Sequence, residues 1–146
     1  MIASMAVHFL VRHAEPVSPR LHEGADADRR LSPRGRRQAQ WIARHLSGAG
    51  AVLSSPYARC LETAQIIALS LGLAAKVAPE LHIAGAFTPG MGGPSCVYVA
   101  HSNNIPVALA RLGVECHACA HASCWTVHVD AAGRTTQSRY VAPPAL

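Results

Sequence analysis

The chain has 146 residues, of which 50% are hydrophobic and 14% charged, a length and composition that suit one domain with a sizeable core and exclude intrinsic disorder. Its formal charge of +5 is almost all arginine, since Lys76 is the only lysine, and that modest excess suits an anionic ligand but falls short of a nucleic-acid signature. No apolar run reaches the roughly 18 residues of a membrane span, and the N-terminus lacks a basic stretch followed by an apolar one, so neither a membrane partner nor a leader is expected.

Val7 to Val11 reads as a short buried strand closed by the charged pair Arg12-His13. Residues 14–30 carry Pro16, Pro19, Gly24 and several charges, and read as loop. A helix follows, with Ser32 as N-cap, Pro33 at its first position and Gly48 just past its end. Ala39, Ile42, Ala43 and Leu46 recur at helical spacing and predict its buried stripe. "AVLSSP" is a second strand ending at Ser54-Ser55. Pro56 is expected to open another helix, running to about Leu71 and stopped by Gly72. "AAKVA" predicts a third strand, residues 84–95 a Gly- and Pro-rich loop, and "CVYVA" a fourth strand that runs into His101. A helix over about Asn104 to Leu112 comes next. "CWTVHVD" and "RTTQSRYV", with Gly133 between them, predict a terminal hairpin whose exposed apolar area would support a dimer; a monomer is the other expectation.

Apolar strands alternating with helices imply an α/β protein with a mostly parallel sheet, in one domain over residues 1–146. In such sheets ligands bind outside the carboxyl ends of the strands. Three strands end there on polar groups: Arg12-His13, Ser54-Ser55 and His101. A neutral imidazole is a competent nucleophile, and histidine forms covalent intermediates. Attack on a phosphate needs its charge neutralised, which the planar arginine fork does through two parallel bonds. Arg12 sits beside His13, and Arg59, about one turn into the second helix, is placed to reach the same pocket. His101 would hydrogen-bond a phosphoryl oxygen as a cation, and the start of the following helix offers backbone N–H groups. With that many fixed donors no metal or other cofactor is expected.

"LVRHAE", "LSPRGRRQAQ", "SSPYARCLETA" and "VYVAHSNNIPVAL" resemble, in order, the motifs of the histidine phosphatase superfamily, also called the phosphoglycerate mutase-like family. The resemblance implies that family's three-layer sandwich, with a mostly parallel central sheet and helices on both faces. It implies a phosphohistidine on His13 as intermediate, with Arg12, Arg59, His101 and the backbone N–H of Ser102 completing the phosphate pocket. Two departures stand out. The family's acidic proton donor lies two residues after a leucine, where this chain has Ile83 after Leu81. Glu80 is then the better candidate acid and His82 the other, unless the leaving group is acidic or a phosphoramidate and needs none. The segment between the second helix and the fourth strand is also short, as in the family's phosphohistidine phosphatases, which disfavours a mutase.

The expected function is a cytoplasmic, metal-independent phosphatase acting on a phosphomonoester or phosphoramidate, carried by a small molecule or a phosphoprotein. The alternatives are a phosphate-binding regulatory module and a mutase-type phosphotransferase with weak hydrolysis. "CHACAHASC", with Cys116, His117, Cys119, His121 and Cys124, has metal-ligand character but only one Cys-x-x-Cys half-site, and reads as reduced thiols without metal. "RRLSPRGRR" straddles a helix start and reads as solvated charge rather than an RNA patch, and His8 as a hydrogen-bonded core residue.

Overall fold

The apolar runs of the sequence become the inner strands of one sheet. The computed structural model describes residues 5–146. The domain expected over residues 1–146 and the N-terminal stretch expected to carry no leader both include residues 1–4, which lie outside the described residues. The strands are β1 (Ala6–Arg12), β2 (Ala51–Ser54), β3 (Ala75–Val77), β4 (Ser95–Ala100), β5 (Cys124–Val129) and β6 (Thr135–Val141). They lie in the order β3-β2-β4-β1-β5-β6; the first four run parallel, and β5 and β6 add an antiparallel hairpin beside β1.

Successive side chains of a strand face opposite ways, so β1 feeds two cores. Phe9 and Val11, with Val97 and Val99 of β4, pack against helices α1 (Pro33–Ala43) and α2 (Ala58–Leu71). Leu10, Tyr98 and Ala100 face the other side, where helix α3 (Ile105–Arg111) packs with Leu81, Phe87 and Trp125. Helices therefore cover both faces, as the alternation of strands and helices implies. No helix of the described residues is long and apolar enough to cross a membrane.

Several boundaries differ from the sequence reading. Helix α1 opens as expected, Ser32 Oγ accepting from Gly35 N, but it ends at Ala43 rather than near Gly48. The N–H groups of Arg44, His45 and Leu46 bond three residues back, so the last turn tightens while still burying Leu46. Pro56 does not start α2. Ser55 Oγ accepts from Tyr57 N, and the helix begins at Ala58. Gly72 ends it in the left-handed conformation, at φ 70°. The loop over 14–30 contains 3-10 turns at Pro19–Leu21 and Asp26–Asp28. The exposed apolar area expected on the hairpin is not there: β6 presents Thr136, Gln137, Ser138 and Arg139 to solvent, as edge strands commonly do.

Candidate active site

Register decides where the two predicted histidines meet. Arg12 of β1 pairs with Ala100 of β4, so His13 and His101 leave adjacent parallel strands at the same level. The N–H of His13 donates to Ala100 O at 3.1 Å, and the imidazole centroids lie 5.6 Å apart, close to the spacing of neighbouring strands. Strand β2 delivers Ser55 from the other side of β4: its N–H donates to Val99 O, and its Oγ lies 2.9 Å from His101 Nε2.

His13 is 5% exposed, and its Nδ1 lies 2.8 Å from Ala14 O. A carbonyl only accepts, so Nδ1 carries the proton and Nε2 keeps its lone pair. Burial, together with Arg12, Arg59 and His101, pushes the His13 pKa down to about 3. Burial and Arg59 likewise bring His101 to about 4. Both imidazoles are therefore neutral near pH 7. The sequence reading expects His101 as a cation; desolvation beside two arginines prevents that until an anion arrives.

Helix α2 carries Arg59 into the same space. Its side chain is buried, with the guanidinium carbon 4.8 Å from the Tyr57 ring centroid, and the Tyr57 ring meets His101 edge-on at 5.0 Å. Thr63, one turn on, ties the helix to the histidine: its Oγ1 donates to Arg59 O and accepts from Ala14 N. The 3-10 turn at Asp26–Asp28 lies against Arg59, with Asp26 O and Oδ2 accepting from its two terminal nitrogens at 3.1 and 3.2 Å. Burial acts against the Asp26 charge, but Arg59 and Arg29 outweigh it and hold that carboxyl below its usual range. Arg12 donates through Nη1 to Cys119 O.

The strand ends and Arg59 border a cavity of about 400 Å³. Arg12, His13, Arg59, His101 and Ser102 all border it. Arg12 Nε, Arg59 Nε and His101 Nδ1 are buried without a hydrogen-bond partner among the described residues. Unpaired buried polar groups are costly, and two guanidinium N–H donors beside an imidazole nitrogen in one cavity fit an anion that would satisfy them. Cys60 Sγ lies 3.6 Å from His101 Nε2, but burial pushes that thiol up to about 12, so it is no nucleophile.

The family model of the histidine phosphatase superfamily (branch 1) matches residues 8–82, from within β1 to the 3-10 turn after β3. The chain belongs to the histidine phosphatase superfamily. It is a phosphatase, and its substrate carries a phosphoryl group. Comparison with curated proteins gives no match. Solved phosphatase structures share the fold. The protein histidine phosphatase SixA, complexed with tungstate, superposes with a TM-score of 0.76 at 23% identity, over 94% of this chain and 97% of that one. A mycobacterial glucosyl-3-phosphoglycerate phosphatase gives 0.68 at 16%, over 95% and 98%. A phosphoserine phosphatase from Entamoeba histolytica, in complex with 3-phosphoglyceric acid, gives 0.69 at 16%, over 94% and 97%.

This histidine phosphatase does not bring every expected residue to the site. Glu80 is exposed on the 3-10 turn at Pro79–Leu81 and does not line the cavity; Ile83 does. His82 meets Tyr57 edge-on and accepts from Ala84 N through Nδ1. Conversely, Glu15, Arg29, Asn103 and His121 line the cavity although the sequence reading gives them no place there. His121 belongs by sequence to the cysteine cluster, yet its ring centroid is 5.5 Å from that of His13. Among the described residues no three His, Cys, Asp or Glu side chains are placed to hold a metal ion. Several arginines of the basic run pair with acids within the fold: Arg30 and Arg36 with Glu62, and Arg34 with Glu15. His8 is buried as expected, although its Nδ1 has no hydrogen-bond partner among the described residues.

Proposed function

We propose that the chain hydrolyses a phosphomonoester or phosphoramidate in two steps through a phosphohistidine on His13, without a metal ion. His13 Nε2 attacks phosphorus, the bond to the leaving group breaks, and the leaving group takes a proton from water. Water then attacks the phosphohistidine, the P–N bond breaks, and inorganic phosphate departs. Arg12 and Arg59 neutralise the equatorial oxygens, and His101 and the Ser102 N–H donate to them.

The observation that carries this reading is the bond from His13 Nδ1–H to Ala14 O, which fixes the tautomer with a free Nε2 among arginines. Ile83 at the acid position, and Glu80 outside the cavity, favour leaving groups that need no strong acid, phosphoramidates among them. We assign the activity to one domain over residues 1–146. The five free cysteines suit a reducing, cytoplasmic setting. The test is turnover of an aryl phosphate in EDTA. Activity that survives the chelator and is lost in His13→Ala supports the proposal; activity retained by His13→Ala, or lost on chelation, contradicts it.

A further inference from the structure

The connection between α3 and β5 is bound to the end of β1 at four points. Arg12 Nη1 donates to Cys119 O at 2.9 Å, and Arg12 N donates to Ser123 O at 3.1 Å. Ala122 N donates to both Arg12 O and His13 O, at 3.1 and 3.2 Å. Ala122 holds φ at 56°, the left-handed region, without being glycine. Such a conformation costs on the order of 1 kcal/mol and persists where surrounding bonds impose it. What it positions is the neighbouring side chain. His121 reaches back over the strand end to line the cavity, with its ring centroid 5.5 Å from that of His13; the His101 ring stands 5.6 Å from His13. The nucleophile thus has two imidazoles at similar distance, and only one of them belongs to the sequence motifs.

We propose that His121 is an additional phosphate-binding residue, donating a hydrogen bond to a phosphoryl oxygen held at His13. This rests on the catalytic reading above and adds a residue to it. The titratable and charged groups around the ring are Arg12 and His13 from the end of β1, Glu15 from the loop beyond, Arg29 from the turn after Asp26–Asp28, and Arg34 from α1. Burial, then Arg12, Arg29 and Arg34, with Glu15 opposing them, bring His121 to about 4. A phosphate dianion beside Arg12 reverses that balance. Binding then draws a proton from solvent onto His121, and both ring nitrogens donate.

The experiment compares wild type, His121→Ala and His121→Gln for binding of inorganic phosphate by calorimetry, at one pH in two buffers of different ionisation enthalpy. His121→Ala should bind phosphate roughly tenfold more weakly, the loss of one charge-assisted hydrogen bond. His121→Gln keeps an N–H donor and should recover most of that affinity. It should nevertheless take up fewer protons than wild type, because glutamine cannot titrate. The comparison at one pH cancels the proton uptake of phosphate itself. Unchanged affinity in His121→Ala, or equal proton uptake in His121→Gln, overturns the assignment. If wild type hydrolyses the aryl phosphate and both variants match it in phosphate binding, this inference alone fails. If wild type neither turns over nor binds phosphate, the catalytic reading fails with it.

Discussion

Arg59 is buried to 4% exposure, yet both its terminal nitrogens are held by Asp26, whose side chain is 57% exposed. A carboxylate already sits where a phosphoryl oxygen would compete. The Asp26 end of the pair stands in solvent, which screens the attraction, so a dianion can compete with this carboxylate. Asp26→Asn should therefore tighten phosphate inhibition by a few-fold; weaker inhibition would mean that Asp26 instead aims the guanidinium. Arg59→Lys should be nearly as damaging as alanine, because an ammonium cannot supply the planar fork. Wild-type kcat/KM in the Arg59→Lys enzyme would contradict that. Arg12, His13, Arg59 and His101 are legible in the sequence because each follows an apolar strand or opens a helix, and strand ends converge by topology. His121 is not. Its place depends on a left-handed alanine, three backbone bonds and one bond from the Arg12 side chain, which no spacing encodes. Glu80 misleads for the opposite reason: proximity in sequence to a leucine does not tell which side of a short 3-10 turn it will occupy.

Helices α1 and α2 are docked onto the loop after β1, and so onto His13. Gly35 of α1 lies so close that an added Cβ would meet Glu15 O at 2.0 Å. Gly35→Ala must shift backbone, at a cost of roughly 1–3 kcal/mol, and should lower both Tm and kcat because Glu15 is two residues from the nucleophile. A variant that melts and turns over like wild type would show the contact to be soft. Thr63→Val should strand the buried Ala14 N–H, costing about 1–3 kcal/mol, and should depress kcat by freeing Arg59 from the histidine loop. An unchanged kcat would show that Thr63 supports the fold only. The helix starts are legible through punctuation, as Ser32-Pro33 shows. The late start of α2 is not, because Ser55 engages both His101 and Tyr57, and a tertiary contact chooses the boundary.

The sheet as a whole concentrates neutral histidines at one rim. His13, His101 and His121 stand at about 3, 4 and 4 in the folded protein, each lowered first by burial, against about 6.5 in an unfolded chain. Between roughly pH 4 and 6.5 the unfolded state binds more protons, so stability is complete above that window and falls as pH falls through it. Tm should hold from pH 7.5 to about 6.5 and then decline toward pH 5, and phosphate should restore part of it by binding only the folded form. A flat or rising Tm on acidification would contradict the burial of these rings. A mostly parallel sheet is implied by four apolar runs alternating with helices, but the order of its strands is set by packing that the alternation does not encode. The hairpin's polar outer edge is not implied either, because alternation alone does not say which face meets solvent.

The most direct test of the central claim is to quench a reaction with labelled aryl phosphate within one turnover and locate the label by mass spectrometry. The account predicts an acid-labile, base-stable phosphoryl group on His13, absent from His13→Ala. A label on Cys60 or on a serine, or steady hydrolysis by protein that never becomes labelled, would contradict it.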